Sequence, residues 1–181
     1  MEVNLAILIM AGGILSIVGL YSFGYRENRQ SREDVASAAF AEAVMSPIVI
    51  AASSTNLLWS KFKRLPDYPS AKQGWRNYVD DDGHVHGNAN EIAKGAFNDV
   101  LSALNSAAEG GLDGIESASW PTGNEIGNLK GGLVIRHNNR EAYGSNAVIR
   151  ISFRAAKNTN ELMSAPLYYT EVRFQGIQDN K

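Results

Sequence analysis

The sequence predicts an α+β protein in which a long N-terminal, membrane-spanning helix packs on a small head with an antiparallel β-sheet and a second amphipathic helix. Three observations predict this fold class. Residues 3–25 carry no charge. Residues 90–108 repeat apolar side chains at helical spacing. Three later segments are rich in strand-forming residues, and the middle one alternates polar and apolar side chains as a strand with one solvated face does.

The uncharged run at residues 3–25 sets the strongest constraint. At about 1.5 Å per residue, a helix of this length can cross the ~30 Å hydrocarbon layer of a membrane. An apolar helix without a polar side must be buried in lipid, in a partner or in copies of itself. The run is longer than the apolar part of a secretory signal, about 7–15 residues, and nothing basic precedes it, so we expect an anchor. Arg26, Arg29 and Arg32 would keep the head in the cytoplasm unless a basic leader has been removed.

The helix is expected to continue beyond the apolar run. Residues 26–34 are polar, and residues 35–45 are rich in helix formers. We therefore predict an N-terminal segment over 1–63, apolar over 1–25 and amphipathic over 26–63, formed by one helix kinked near Pro47. An apolar stripe on this segment suits packing against the head. One side of the helix carries Val35, Ala38, Ala39, Glu42 and Met45, and another carries Ala36, Phe40, Ala43 and Val44.

The remaining residues, 64–181, are predicted to form the globular head. After a loop, the dipeptide Asp82-Gly83 indicates a short hairpin within residues 75–87. The helix over 90–108 would be capped by Asn88 or Asn90 and stopped by two glycines at 110 and 111. The predicted strands cover residues 132–137, 147–155 and 167–175.

The N-terminal pattern resembles that of a known superfamily. The stretch MEVNLAILIMAGGILSIVGL, the polar break at Arg26 and the segment VASAAFAEAV are similar to the start of type IV pilins and type II secretion pseudopilins. The resemblance implies a bacterial protein that is held in the cytoplasmic membrane and then extracted into a cell-surface helical filament, with the N-terminal helices as its core. It also implies the partners: further copies of the chain, membrane lipid, an inner-membrane assembly machinery and a prepilin peptidase.

The resemblance also points to residues. It implies processing and methylation at the mature N-terminus, here Met1. The family's acid stands fifth in the mature chain, whereas Glu2 is second, so we expect either residues upstream of Met1 or an unusual processing site. A carboxylate at a helix N-terminus is favourable, and Glu2 either caps the helix or pairs with a neighbour's α-amine. Small residues allow close helix approach, which makes candidates of Gly12, Gly13, Gly19 and Gly24.

Metal binding is a weaker hypothesis. Asp80, Asp82, His84 and His86 lie close in sequence and are possible ligands. The EF-hand pattern is not met, because it requires an Asp first and a Glu twelfth. We therefore expect a solvated turn and no metal site, with Asp80, Asp82 and His84 as the weak candidates. His137 is expected to be structural.

The composition speaks against several other classes. There is no cysteine, no nucleophile elbow, no phosphate loop and no dinucleotide fingerprint, so we expect neither an enzyme nor a cofactor. A net charge of -2 gives no field that would attract nucleic acid. Arg150, Arg154 and Arg173 are predicted to form a solvated row on the sheet, with Glu161 and Glu171 nearby as counter-charges.

The sequence thus leads us to expect a structural subunit of a type IV pilus-like filament, assembled through its apolar helix. Two alternatives stay open: a minor, tip-located pseudopilin of a secretion system, and a single-pass membrane-anchored binding protein with a monomeric head. A membrane-tethered enzyme or metal-binding module that uses Asp82 and His84 is a more distant third. Adhesion, motility, secretion and DNA uptake are not distinguished.

Overall fold

A long N-terminal helix, two further helices and a small antiparallel sheet make up the described chain. The computed structural model describes residues 2–69, 74–122, 128–138 and 147–179, without the side chains of residues 2–9, 11, 116 and 138. The helices are α1 (Glu2–Ala52), α2 (Trp59–Phe62) and α3 (Ala89–Ala107). The strands are β1 (Lys130–Asn138), β2 (Val148–Ala156) and β3 (Leu167–Arg173). The predicted α+β class, with its long helix and antiparallel sheet, is confirmed.

Helix α1 ends at Ala52 and not near residue 63. It continues past Pro47, but hydroxyl groups then compete for its backbone: Ser53 Oγ donates to the Ile50 carbonyl at 3.1 Å, and Ser54 Oγ accepts from the Asn56 N–H at 3.3 Å. The Leu58 N–H donates to the Ala107 carbonyl at the end of α3, at 3.0 Å. The N–H groups of Ser53 and Ser54 still donate to carbonyls of α1, whereas the Leu57 carbonyl and the N–H groups of Leu58 and Trp59 bond to distant segments and not to a continuing helix.

The chain divides into two compact units, Met1–Ala36 and Ser37–Lys181. The first consists of helix, and its described side chains are nearly all exposed. The second contains the last part of α1 together with every other described element. This boundary differs from the predicted division at residue 63, because one side of α1 over residues 37–52 is buried in the core of the second unit.

The sheet of the second unit has the strand order β1-β2-β3, with both pairs antiparallel. Ile149, Ile151 and Phe153 are fully buried on one face, while Arg150 between them is exposed. The predicted alternation in this strand is therefore confirmed. Helix α3 packs against β1, as its own apolar face requires.

Aromatic rings join the last part of α1 to the sheet. The ring of Phe40 meets Phe153 edge-on at 4.9 Å and Trp120 at 5.5 Å, and Phe97 of α3 meets Trp120 at 5.8 Å. The buried side of this segment is Ser37, Phe40, Ala41, Val44, Met45 and Ile48. Of the two predicted sides, the first is wrong apart from Met45, because Val35 is 67 % exposed and Ala38, Ala39 and Glu42 are exposed too. The second side supplies the buried Phe40 and Val44, although its Ala43 is exposed.

The C-terminal tail is fastened to the segment after α1. Ile177 donates to the Leu57 carbonyl at 2.7 Å, and its own carbonyl accepts from the Trp59 N–H at 2.9 Å. The Asp179 carboxylate accepts from the Ser60 N–H at 2.7 Å and from the Ser60 hydroxyl. A Cβ at Gly176 would lie 2.1 Å from the Leu57 carbonyl oxygen, so the tail can lie this close only with glycine there.

The predicted hairpin over 75–87 is present only as a bridge. A 3-10 helix covers Gly74–Tyr78, and Val79 pairs with Val85 around a turn that contains Gly83. The Tyr78 ring turns inward and is fully buried. Its hydroxyl donates to the Leu133 carbonyl at 2.6 Å and accepts from the Leu133 N–H at 2.9 Å, which occupies the outer edge of β1.

Candidate functional site

The largest unexplained surface is the apolar part of α1 in the first unit. Every large apolar side chain described between residues 10 and 25 is exposed, with Tyr21 at 79 % and Leu15 at 72 %. The set comprises Met10, Ile14, Leu15, Ile17, Val18, Leu20, Tyr21, Phe23 and Tyr25. Monomeric soluble proteins rarely expose a continuous apolar surface of this size, so such a surface marks contact with lipid or protein.

These side chains surround the helix on all sides. Ile14, Val18, Tyr21 and Tyr25 follow one another at spacings of four, three and four residues and share one side. Leu15, Ile17 and Leu20 lie away from that side. An apolar surface that encircles a helix calls for neighbours in every direction, unlike the single stripe of a helix resting on a core.

Among the residues that the structure describes, one helix is long and apolar enough to cross a membrane, judged by length and composition: Gly12–Ala52, within which an 18-residue window has mean hydropathy 1.8. That window is 44 % buried. Residues 12–32 are all exposed, so the window lies in the later part of α1, where core packing accounts for its hydropathy. The membrane argument for the first part of α1 therefore depends on the uncharged run at residues 3–25 and on its exposure.

The four predicted assembly glycines lie in this helix without a neighbour. A Cβ added to Gly12, Gly13, Gly19 or Gly24 would meet nothing within 4 Å. Each glycine costs an isolated helix up to about 1 kcal/mol relative to alanine. Because an α-helix turns by about 100° per residue, Gly12 and Gly19 share one side of the helix, and Gly13 and Gly24 share another. No contact described within the chain explains why glycine stands at these four positions. Close approach of other helices would explain it.

The predicted N-terminal residues are described only in part. Met1 lies outside the described residues. Glu2 is the first residue of α1, so its carboxylate belongs to a helix N-terminus, where negative charge is favourable. Its side chain lies outside the described atoms. The pairing of Glu2 with a neighbour's α-amine therefore stays a prediction.

A charged band follows the apolar surface. Residues 26–34 hold three arginines and three acids. Arg29 Nε donates to Glu33 Oε1 at 3.1 Å, an ion pair between residues one helical turn apart. Arg26, Arg32, Glu27 and Asp34 have no hydrogen bond or ion pair with any other residue that the structure describes. Four charges of the band are thus left to solvent, to lipid headgroups or to another chain.

The weak metal candidates do come together. One ligand atom from each of Asp80, Asp82 and His84 lies within 4.8 Å of the others, and all three residues are exposed. Asp80 Oδ1 already accepts from the Asp82 N–H at 3.1 Å and from the His84 N–H at 2.8 Å. These bonds account for the cluster as a side-chain-stabilised turn. His86 donates its backbone N–H to the Tyr78 carbonyl at 2.9 Å and is not part of the cluster.

The three arginines of the sheet make different contacts. Arg150 pairs with Glu171, its partner in the β2–β3 register, with Nε to Oε1 at 2.7 Å. The Arg154 guanidinium lies over the Trp75 ring at 5.2 Å from its centre and donates to the carbonyls of Met163 and Ala165. Arg173 is exposed at the end of β3. A continuous basic row is therefore not formed, and Glu161 bonds to Asn158.

His137 is structural, as expected. Its side chain is 3 % exposed and meets the Phe62 ring edge-on at 5.8 Å, with Nδ1 3.5 Å from Asp67 Oδ1. Asp67 also accepts from the His137 backbone N–H at 2.9 Å and from Arg136 at 3.1 Å. Asp67 thereby holds the loop before the 3-10 helix against β1.

Sequence reasoning missed Asp67, Tyr78 and Gly176, because each acts on a backbone segment far along the chain. The only local signals are a tyrosine that breaks the alternation of the predicted hairpin and a glycine outside any turn pattern.

Comparison with known protein families, with curated proteins and with solved structures finds no match to this chain.

Proposed function

We propose that this protein is a structural subunit of a pilus-like helical filament, assembled through residues 2–25 of α1. One observation carries the proposal: the described side chains of residues 10–25 expose large apolar groups on every side of the helix. A helical bundle of identical copies surrounds each helix with apolar neighbours. Contacts of this kind are head-to-tail and propagate, which produces a filament and not a closed oligomer.

The glycines support the same proposal. Gly12 with Gly19, and Gly13 with Gly24, mark two sides on which another helix can approach closely. A single anchor helix surrounded by lipid would need neither glycine-bearing side, and a simple dimer would need only one of them. Before assembly the helix would rest in the cytoplasmic membrane, which its uncharged run of residues 3–25 permits. The described heads would then be at the outside of the filament.

Shearing of cells and imaging of the released material tests this proposal. We expect thin filaments that contain this chain, beginning at a processed N-terminus when identified by mass spectrometry. A low ratio of this chain to another subunit in the same filaments would favour the minor, tip-located alternative. Recovery of the chain only in the membrane pellet, with an intact initiator methionine, would favour the membrane-anchored binding protein and contradict the filament.

Alanine at the glycines gives a second arm of the test. Gly12→Ala with Gly19→Ala should lower filament yield, although the change favours the isolated helix by roughly 1 kcal/mol per site and clashes with nothing described. Gly87→Ala, at an exposed site where an added Cβ also meets nothing within 4 Å, is the matched control. Unchanged yield of the double variant would contradict close helix approach at these positions.

A further inference from the structure

The charged band at residues 26–34 is sorted by sign around the helix. With a turn of about 100° per residue, Arg26, Arg29 and Arg32 fall within roughly one third of the circumference. Glu27 and Asp34 lie within about 20° of each other and about 150° from the centre of the arginine arc. We call the first group the cationic face and the second the acidic face.

Pairing within the chain leaves the two faces opposite in charge. Glu33 lies at the edge of the cationic face and pairs with Arg29. The cationic face therefore keeps two positive charges in excess, and the acidic face has two negative charges. None of Glu27, Asp34, Arg26 and Arg32 contacts a counter-charge among the described residues, and all four are exposed. The band as a whole is neutral, so bulk attraction to an anionic surface is not its main property.

We propose that the acidic face of one copy pairs with the cationic face of the next copy, and that this pairing sets the register between neighbouring helices in the filament. The inference rests on the proposed function, since it needs copies packed side by side. Opposite faces on one helix suit a head-to-tail contact, in which each copy offers one face to each neighbour. Complementary charges of this kind fix register and reject wrong partners.

The position of the charged band along α1 also supports pairing between neighbouring copies. It follows directly after the apolar surface, so helices packed through residues 10–25 also bring their bands together. A charge left without a partner between packed helices is strongly unfavourable, because the surroundings there are less polar than water. The band is about 12 Å long. The two faces can therefore meet only if contacting copies are offset along the helix axis by less than about 12 Å.

Reciprocal charge reversal in the full-length chain tests the pairing. Glu27→Lys with Asp34→Lys makes both faces positive, and Arg29→Glu with Arg32→Glu makes both negative. Each double variant alone should lower the yield of sheared filaments about ten-fold or more. Co-expression of the two should restore the yield when the copies alternate, because the altered acidic face of the first variant then meets the altered cationic face of the second, and their unaltered faces also meet with opposite charges. One chain with all four substitutions should also assemble.

Controls separate this inference from folding and from the proposed function. Asp81→Lys with Asp113→Lys changes the net charge by the same amount as Glu27→Lys with Asp34→Lys, but at two exposed sites of the second unit. This control should leave the filament yield unchanged. The amount of each variant in the membrane fraction is measured by immunoblot, so that lost protein is not mistaken for lost assembly.

Several results would overturn the inference. Normal yield of both double variants, or failure of co-expression to restore yield, would show that the faces do not pair. If only the variant Arg29→Glu with Arg32→Glu lost filament yield, the arginines would be assigned to contact with anionic lipid headgroups. Absence of filaments from the unaltered chain would remove the proposed function and the inference together, whereas the other results leave the filament standing.

Discussion

Removal of a single oxygen should test how the head is built. Tyr78 is fully buried, and its hydroxyl bonds both backbone groups of Leu133 on the outer edge of β1, at 2.6 and 2.9 Å. Tyr78→Phe keeps the ring and its contact with Trp75, whose ring centre is 5.6 Å away. The substitution therefore changes hydrogen bonding and leaves the packing of the ring in place.

The expected cost follows from the two groups that lose their partner. A buried backbone group without a hydrogen bond costs about 1–3 kcal/mol. The N–H and the carbonyl of Leu133 together thus predict a loss of about 2–6 kcal/mol in the free energy of unfolding. A water molecule that enters the space of the lost oxygen would bring the result toward the lower end.

Urea unfolding of a fragment that begins at Ser37 measures this loss. The transition can be followed by tryptophan fluorescence, since Trp75 touches the altered ring. Tyr169→Phe is the matched control, because Tyr169 is 67 % exposed on β3 and its hydroxyl makes no described bond. A loss below about 0.5 kcal/mol in Tyr78→Phe, the range of ordinary surface changes, would refute the role assigned to the hydroxyl.

Alkaline pH tests the same hydroxyl in a second way. Burial raises the pKa of Tyr78, and the hydrogen bond that its oxygen accepts from the Leu133 backbone N–H opposes this only in part. The folded pKa is therefore above that of the unfolded chain, about 10. The contribution of the neutral hydroxyl is complete below pH ~10 and is lost as the pH rises above it. The unaltered fragment should lose stability there more steeply than Tyr78→Phe does.

Three further predictions concern the tail and the N-terminus. Gly176→Ala should lower the free energy of unfolding by about 1–3 kcal/mol, as overpacking does, because its Cβ would lie 2.1 Å from the Leu57 carbonyl oxygen. The thermal unfolding midpoint should fall accordingly, and an unchanged midpoint would contradict the tail's position. Hydrogen bonds from Ser60, first from its hydroxyl, lower the pKa of Asp179. Asp179→Asn should therefore destabilise the head at pH 7, and the difference from the unaltered chain should vanish as the pH falls through the folded pKa; a difference independent of pH would argue against the carboxylate. Glu2→Ala should block or slow filament assembly with the head still folded, whereas Asn4→Ala should not, and normal filament yield of Glu2→Ala by electron microscopy would count against pairing.

Local patterns were enough for much of the fold. The alternation around Ile151 predicted a strand with one buried face, and the apolar spacing of residues 90–108 predicted α3 closely. Both patterns depend on the few residues before and after each position. The end of α1 could not be predicted in this way, because it depends on the bond from the Leu58 N–H to Ala107.

The packed side of α1 shows the same limit. Val35 and Ala38 are as apolar as the buried residues, and composition alone does not choose between two sides of an Ala-rich helix. The choice follows from Phe40, whose ring fits between Phe153 and Trp120. In the first unit the apolar run was evident from the sequence, but no contact among the described residues shows what covers its side chains.

Photo-crosslinking from the apolar helix tests the filament most directly. A benzophenone amino acid in place of Phe23, which is exposed within the apolar surface, reacts with whatever lies beside it. In sheared surface material we predict covalent dimers and larger products, with the crosslink mapped to residues 3–25 of a second copy. Lipid adducts of a single chain, without any crosslink between copies, would contradict the filament and support a monomeric membrane anchor.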